Sequence, residues 1–432
     1  MPQAEHDPGP ALLMRDATVI DGTGAPARAR TDVLVAGGRI EAIAPTGTLD
    51  LPAHPAPERL RILDAAGMTV LPGFFDCHVH VSARPDGAPF DTVLAPESLL
   101  TLRSVPALSA TLDAGVTTAR DLAGADSGFR EAVEAGYVRG PRLQVALRIL
   151  SITGGHGDWR AIDGTPLDTG PGAGVVADSP AEFVKATREV IRQGADWIKV
   201  AATGGMGSPR SAPETGGLTE AELRAVVDEA ARHGVVGVAA HAQGTAGIAA
   251  AVRAGVRSIE HGYLVDDATL DAMGERGTYL VPTLATLTRP VRHDGAPWVV
   301  EKRRRLQETA LERLRTALTS GVAIALGTDA GIAPHGRNLR ELELLVRLGL
   351  DPLDAIAAGT GVAARMCRVD DEVGTVREGL RADLLITGVD PLGDIAALGD
   401  PSAVETVLLG GRIVKDARRA APFSQQDVRR AA

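Results

Sequence analysis

The sequence predicts an α/β protein in which a parallel (β/α)₈ TIM barrel carries a small β-sandwich formed from both chain ends. Three observations lead to this prediction. Short strand-like runs separated by glycine- and proline-rich turns occur near both ends, eight brief apolar runs recur in the middle, and segments of helical period lie between those eight runs. Strands that alternate with helices in this way are typical of a parallel barrel.

The β-sandwich is predicted from short strand-like runs within residues 12–72 and from similar runs late in the chain, the first of them at residues 374–376. A β module divided between the two ends implies that the middle folds as an insertion whose termini lie close together. We therefore expect a composite domain of residues 1–72 and 365–432 around a barrel of residues 73–364.

The barrel strands are predicted from apolar runs that are short and apolar on both faces, as buried parallel strands are. The helices between them have recognisable starts. Ser179-Pro-Ala-Glu182 and Thr219-Glu-Ala-Glu222 have the spacing of capping boxes, and the second leads to a stop at His233-Gly234. The eight predicted strands cover residues 73–81, 117–122, 143–149, 197–203, 235–242, 258–262, 278–284 and 322–329.

Two connections that follow predicted strands are too long for plain turns. Residues 151–178 and 204–218 are rich in glycine, proline and polar residues. In a barrel, connections after strands lie at the C-terminal rim, where functional loops are found. We expect both connections to border a site, and a plain surface excursion is the alternative.

The composition excludes several classes of protein. The 432 residues carry a net charge of −10 and only 3% aromatic residues, which argues against binding of nucleic acids through phosphates or base stacking. No apolar stretch approaches the roughly 20 residues that span a bilayer, no signal peptide is visible, and two cysteines cannot form a disulfide framework. We expect a cytoplasmic protein with no membrane partner.

Polar residues at the ends of the predicted strands share one chemistry. His78 and His80 lie two positions apart on the first strand and therefore face the same side of it. A single histidine at a strand end is more often structural than a ligand, but several imidazoles and a carboxylate at one rim suit Zn²⁺ or a similar metal. The candidate residues are His78, His80, Lys199, His241, His261 and Asp329.

Lys199 is unusual in both composition and position. Only four of the 45 lysine and arginine residues are lysines, and this one lies in the apolar run Trp197-Ile-Lys-Val200. An ammonium beside metal cations would be repelled and poorly solvated. A neutral lysine amine could instead add CO₂ and become a carbamate that bridges two metals, whereas arginine does not titrate and could not do so. A salt-bridged core lysine is the alternative.

Several segments, spread over nearly the whole chain, resemble the amidohydrolase superfamily. The general segments are Val19-Ile-Asp-Gly-Thr-Gly24, Leu71-Pro-Gly-Phe-Phe-Asp-Cys-His-Val-His80, Gly327-Thr-Asp329 and Gly374-Thr-Val-Arg-Glu-Gly-Leu-Arg-Ala-Asp-Leu385. Others resemble the imidazolonepropionase-like branch, which contains binuclear zinc dipeptidases, prolidases and ochratoxin-hydrolysing amidases. They are Thr153-Gly-Gly-His-Gly-Asp158, Trp197-Ile-Lys-Val200, Ser258-Ile-Glu-His-Gly262 and Thr278-Tyr-Leu-Val-Pro-Thr283.

The resemblance implies two divalent metal ions, with Zn²⁺ as the expected metal, and a homo-oligomer. It also implies that a metal-bridging hydroxide attacks the substrate carbonyl and that Asp329 shuttles the proton. The implied ligands are His78, His80 and Asp329 for one metal, His241 and His261 for the other, and carboxylated Lys199 for both.

Four further residues are candidates for contact with a substrate. His156, flanked by glycines, is the strongest candidate for an oxyanion donor. Gln243 stands where this branch often has His or Tyr, and it can hydrogen-bond but cannot act as an acid. Tyr279 could donate a hydrogen bond and Arg210 could pair with a substrate carboxylate, with a core tyrosine and a solvated loop arginine as the alternatives. The run Arg303-Arg-Arg305 favours a solvated helix face.

We therefore expect a binuclear metal-dependent hydrolase that cleaves a peptide-like C–N bond beside a carboxylate-bearing residue. A dipeptide, an N-acyl amino acid or an ochratoxin-like amide would fit as its small-molecule substrate. The first alternative is a cyclic-amide hydrolase or a deaminase, which is disfavoured because deaminating members usually use one metal and lack a bridging lysine. A catalytically inactive metal-binding protein ranks lower.

Overall fold

The computed structural model describes residues 11–49, 60–83, 95–160, 163–165, 174–206, 211–290 and 297–419. Its strands are, in chain order, β1 (Ala11–Val19), β2 (Arg28–Ala36), β3 (Arg39–Pro45), β4 (Leu60–Asp64), β5 (Thr69–Pro72), β6 (Phe74–Val79), β7 (Val116–Asp121), β8 (Arg142–Val145), β9 (Ile149–Ser151), β10 (Val175–Val176), β11 (Trp197–Ala201), β12 (Gly237–Ala242), β13 (Ser258–His261), β14 (Tyr279–Val281), β15 (Leu384–Thr387), β16 (Val404–Leu409) and β17 (Arg412–Asp416).

The α-helices belong to the middle segment, and the three helices that begin at residues 220, 245 and 267 pack in series on the helix that begins at residue 180. They are α1 (Glu97–Asp113), α2 (Ser127–Glu134), α3 (Pro180–Arg192), α4 (Glu220–Arg232), α5 (Thr245–Ala254), α6 (Asp267–Arg276), α7 (Leu284–Leu287), α8 (Pro297–Thr319), α9 (Arg340–Arg347), α10 (Pro352–Ala358) and α11 (Gly361–Met366). Within the described ranges, no helix is both long enough and apolar enough to cross a membrane.

Strands from both chain ends share one sheet, in the order β17-β16-β15-β5-β1-β2-β3, with β4 paired to β1. The two ends meet where β5 pairs antiparallel with β15, so that Leu71 lies opposite Leu385. A two-layered sandwich stays a prediction. The predicted strand at residues 374–376 is not formed, because Gly374 has a φ of +100° and the N–H of Val376 donates to the carbonyl of Asp21 outside any ladder.

Parallel strands of the middle segment form the sheets β6-β7-β8 and β10-β9-β11-β12-β13-β14. Seven of the eight predicted runs contain strands, and the run at residues 143–149 is divided between β8 and β9, since Leu147 interrupts it with a φ of +61°. The eighth run, residues 322–329, has backbone bonds to both β14 and β6 but no regular strand. There the N–H and hydroxyl of Thr328 donate to the Asp76 carboxylate, at 3.0 and 2.6 Å.

The predicted helix starts differ in one detail. At α4 the capping box is complete, because Thr219 accepts from the N–H of Glu222 while the Glu222 carboxylate accepts from the N–H of Thr219. At α3, Ser179 accepts from the N–H of Glu182, but the Glu182 carboxylate accepts from the N–H of Asp178, one residue earlier. Both arrangements satisfy N–H groups that the first helical turn leaves without partners.

Candidate metal centre and substrate cavity

The predicted strand-end residues surround one cavity of about 380 Å³. It opens at the carboxyl ends of the parallel strands, where the connections after β9 and β11 also arrive. The backbone brings these side chains together because parallel strands end at the same edge. The predicted residues that line the cavity are His78, His80, His156, Lys199, His241, Gln243, His261 and Asp329.

The tightest group consists of His78, His80 and Asp329, each offering one ligand atom within 4.8 Å of the others. Oδ1 of Asp329 lies 3.3 Å from Nε2 of His80 and 3.7 Å from Nε2 of His78. Nδ1 of His78 lies 2.8 Å from a Glu260 carboxylate oxygen, and Nδ1 of His80 lies 2.8 Å from the carbonyl oxygen of Ala123. Because both of those oxygens accept, the Nδ1 atoms donate and the Nε2 lone pairs face Asp329.

These converging lone pairs favour a positive charge between the three side chains. Oδ1 of Asp329 is buried and has no hydrogen-bond partner. Burial by itself lowers the pKa of His80, but Asp329 and Asp121 raise it overall, so that the site favours a proton at this point. A divalent cation would satisfy the same three atoms, and two imidazoles with a carboxylate are a donor set that Zn²⁺ accepts.

Lys199, His241 and His261 lie beside this group. The ring centroid of His261 is 4.6 Å from that of His241 and 5.1 Å from that of His78. Burial lowers the pKa values of His241 and His261 well below the usual range, so both imidazoles are neutral near pH 7. Lys199 is 2% exposed, its Nζ has no hydrogen-bond partner, and burial lowers its pKa to about 8. Nε2 of His241 lies 3.0 Å from the carbonyl oxygen of Gly204.

Three residues around the cavity hold left-handed backbone conformations that non-glycine residues rarely adopt. His261 has a φ of +74°, Asp329 of +59° and Thr283 of +50°. Hydrogen bonds hold them in place: Nδ1 of His261 lies 2.8 Å from the Thr283 hydroxyl, and the N–H of Asp329 donates to the carbonyl of His78 at 2.7 Å. Backbone strain of this kind, on the order of 1–3 kcal/mol per residue, accumulates at functional sites.

The connection after β9 brings His156 to the cavity. Its ring stacks on that of His241, with centroids 4.0 Å apart and planes at 14°. A Cβ on Gly205 would lie 2.5 Å from Cε1 of His156, so only glycine allows the backbone to pass this close. Nδ1 of His156 is buried without a partner, and burial lowers the pKa of this imidazole to about 4. A neutral imidazole with an unpartnered nitrogen can therefore bond a group held in the cavity.

The other predicted substrate contacts are distributed differently. Gln243 lines the cavity, and its buried Oε1 has no partner. The structure does not bring Tyr279 to the cavity, because this residue begins β14 and therefore lies at the opposite end of the strand. Its ring instead lies 5.5 Å from the guanidinium carbon of Arg257. Arg210 lies outside the described residues.

The cavity lining also contains residues that the sequence does not predict, among them Tyr263, Arg289 and Arg303. Tyr263 follows a predicted ligand by two positions, which is a usable signal. Arg303 belongs to the run expected to be solvated, yet it is only 6% exposed. Its spacing from Leu306 and Ala310, both buried, matches the apolar face of α8, and that register is the signal for its burial.

A buried polar network fixes the orientation of the His78 ring through its Nδ1 atom. Arg120, on β7, donates to a Glu260 carboxylate oxygen at 2.8 Å and to the Ser258 hydroxyl at 3.0 Å. The other Glu260 oxygen accepts from Nδ1 of His78, and the Arg120 guanidinium lies 4.4 Å from the ring centroid of Trp197. Glu260 thus fixes the His78 tautomer, and Arg120 neutralises the charge that this requires.

Comparison with known proteins identifies the chain. A model of the amidohydrolase family matches residues 69–414. The chain belongs to the amidohydrolase family. Ochratoxinase from Aspergillus niger is 34% identical to this amidohydrolase over 365 residues, covering 80% of this chain and 75% of that protein. Imidazolonepropionase from Chromobacterium violaceum is 26% identical over 439 residues, covering 94% of this chain and 97% of that protein.

Solved structures give the same assignment. A prolidase complexed with N-methylphosphonate-L-proline has a TM-score of 0.86 at 34% identity, covering 94% of this amidohydrolase and all of that chain. The predicted family and branch are therefore confirmed, and the fold is the TIM-barrel-like α/β fold of the amidohydrolases. Members of the family generally use divalent metals, which agrees with the group of two histidines and one aspartate.

Variants of the Arg120–Glu260 pair can distinguish its contribution to folding stability from its contribution to metal binding in this amidohydrolase. Arg120→Ala is expected to lower the free energy of unfolding by about 3–5 kcal/mol, because the Glu260 carboxylate stays buried without its cation. The double variant Arg120→Met, Glu260→Met should regain most of that loss, since packed apolar residues often replace a buried ion pair. It should nevertheless bind Zn²⁺ about 10- to 100-fold more weakly, because Nδ1 of His78 has lost its acceptor.

Urea unfolding of the metal-stripped protein measures the first effect, and competitive zinc titration measures the second. A double variant that binds Zn²⁺ as tightly as the unaltered protein would show that Glu260 does not orient His78.

Proposed function

We propose that this amidohydrolase hydrolyses a peptide-like amide bond next to a carboxylate-bearing residue of a small substrate. One observation carries this proposal: the lone pairs of His78, His80 and Asp329 converge in the cavity at a point that calls for a cation. The similarity to an ochratoxinase and to a prolidase supports an amide or peptide bond as the target. A dipeptide, an N-acyl amino acid and an ochratoxin-like amide all meet this description.

Two divalent ions, with Zn²⁺ as the expected metal, would complete the centre. The unpartnered, buried Nζ of Lys199 supports a carbamate at this position, because a neutral amine there can add CO₂ and provide an anion between two cations. When bound, the metals would supply Lewis acidity and a hydroxide near neutral pH. The residues that would hold them are His78, His80 and Asp329 for one ion, His241 and His261 for the other, and Lys199 for both.

The remaining chemistry belongs to side chains of the cavity. Asp329 would accept the proton of the nucleophile on its carboxylate and pass it to the leaving amine nitrogen. His156 would donate a hydrogen bond to the carbonyl oxygen as negative charge develops there. Gln243 would hydrogen-bond the substrate through its side-chain amide. No serine or cysteine nucleophile is needed.

We also infer that the parallel strands and residues 322–330 form one closed barrel. Backbone bonds from Ala325 to Leu280 and from Cys77 to Leu326, at 2.9 and 2.8 Å, support this closure. The division into a composite terminal domain and a barrel, with boundaries after residues 72 and 364, is part of the same proposal.

A substrate screen tests the proposed function. The purified protein, with its metal content measured, is incubated with dipeptides including Xaa-Pro, with N-acyl amino acids and with an ochratoxin-like amide, and products are followed by mass spectrometry. Release of the free amino acid is the expected result. Turnover confined to cyclic amides, or release of ammonia from aminated rings, would favour the alternative activities instead.

A further inference from the structure

Two guanidinium groups line the wall of the cavity, those of Arg289 and Arg303. Among the cavity residues that the structure describes, Asp329 is the one carboxylate. Away from the candidate metal ligands, these two arginines are therefore the charged groups that the described cavity wall presents.

Arg303 occupies a position where the helical periodicity predicts a buried, apolar side chain. It shares the buried face of α8 with Leu306, Ala310 and Leu314, which are 3%, 0% and 0% exposed. Its neighbour Arg304 lies on the outer face and pairs with Glu301 at 3.0 Å. One arginine of the run is thus directed inward while the next is solvated.

The buried guanidinium of Arg303 is incompletely satisfied. It donates through Nη2 to the carbonyl oxygen of Thr286, and its Nε is buried without a hydrogen-bond partner. Within the part of the chain that the structure describes, Arg303 forms no ion pair. Burial of such a cation destabilises a fold unless an anion pairs with it. The protein therefore carries a cost at this position that internal contacts do not offset.

The position of Arg303 relates it to the reacting groups. Thr286, which accepts from Arg303, donates through its hydroxyl to the carbonyl oxygen of Thr328 at 3.2 Å, and Thr328 immediately precedes Asp329. Arg289 lies on the same wall and is anchored through a bond from its Nη1 to the carbonyl oxygen of Ile332. Both guanidinium groups share the lining of the cavity with Asp329.

We propose that Arg303, assisted by Arg289, binds the carboxylate of the substrate and so restricts this enzyme to amides whose amine portion is an amino acid with a free carboxyl group. The inference rests on the proposed function and gives it a substrate class. A planar guanidinium fork pairs with a carboxylate through two parallel hydrogen bonds, and the low-dielectric cavity strengthens that pairing. The same anion would satisfy the buried Nε.

The test compares N-acetyl-L-phenylalanine with its primary carboxamide, which has the same acyl bond but no negative charge. Binding is measured by calorimetry on the metal-loaded protein in an Asp329→Asn background, where turnover does not interfere, and kcat/KM is measured in the otherwise unaltered enzyme. Arg303→Met is expected to weaken binding of the acid about 10- to 100-fold and to leave the carboxamide unchanged, because a charge-assisted pair is lost. Arg303→Lys should lose less, since it keeps the charge but not the fork.

Arg304→Met is the matched control, because it removes the same charge from the outer face of the same helix and should bind both compounds as the parent does. Thermal unfolding of Arg303→Met is expected to be no lower than that of the parent, since methionine suits the buried face. Equal losses of binding affinity for the acid and the carboxamide would show that Arg303 has a structural role only. A parent protein that binds the acid no more tightly than the carboxamide would overturn the carboxylate site.

The outcomes separate this inference from the proposed function. Preferential, Arg303-dependent binding of the acid without hydrolysis of any amide would leave the carboxylate site standing and defeat the proposed function. Hydrolysis of the acid and the carboxamide at equal kcat/KM would support the proposed function and overturn the carboxylate site.

Discussion

Lys199→Ala is expected to retain about one divalent ion per chain instead of two and to lose activity on the order of 10³-fold in kcat. The side chain is buried without a partner among the cavity histidines, and in the proposed centre its carbamate joins the two metal positions. Removing the second Lewis acid forfeits several kcal/mol of transition-state stabilisation, at about 1.4 kcal/mol for each factor of ten. Elemental analysis of the purified variant and initial-rate kinetics measure the two effects.

Two controls sharpen this experiment. Lys185→Ala removes a lysine from the exposed face of α3 and should keep both metal content and kcat. Short carboxylic acids such as formate or acetate should restore part of the activity of Lys199→Ala, because they can supply the missing bridging carboxylate. If Lys199→Ala kept two metals per chain and the parent rate, Lys199 would not be a bridging ligand.

Asp329→Asn is expected to lower kcat by about 10²- to 10⁴-fold, the range that general acid–base groups contribute. Asparagine has nearly the same shape, but its amide cannot take up and release the proton, and it no longer offers a carboxylate to Nε2 of His78 and His80. The assay uses a substrate identified in the screen, at saturating concentration.

Metal content distinguishes the two roles of Asp329. If the variant keeps two metals per chain and still loses rate, proton transfer carries the effect; if metal falls as well, ligation contributes to it. Asp271→Asn, on the exposed side of α6, is the matched exchange and should be neutral. Hydrolysis at the parent rate by Asp329→Asn would refute the assigned proton shuttle.

The sequence predicts most of the candidate centre because strand order controls it. Parallel strands end at one edge, so residues near their ends meet regardless of the loops between, and His78, His241 and His261 all follow this rule. Tyr279 shows the limit of the rule: it lies on a correctly predicted strand but at its beginning, which faces the other rim. Whether a side chain reaches the cavity therefore depends on its position along the strand as well as on its membership of the strand.

Contacts that depend on side-chain register are harder to predict. The run of three arginines suggests a solvated face, but successive helical residues point about 100° apart, so one member can point inward while its neighbours do not. Arg120 and Glu260 are similarly hidden, because each lies in a buried strand and only the folded chain brings the two within 2.8 Å. The eighth strand is predicted more regular than it is, since the Asp76 carboxylate takes hydrogen bonds that a neighbouring strand would otherwise receive.

The sheet shared by both chain ends has a consequence for synthesis on the ribosome. The edge of β5 that pairs with β15 has no partner until β15 has been synthesised, and the Thr69 hydroxyl donates to Val389, 320 positions along the chain. At roughly 5–20 residues per second, that interval lasts tens of seconds. Throughout it, the nascent chain exposes an unpaired strand edge that can pair with other chains, and this exposure ends only when β15 emerges.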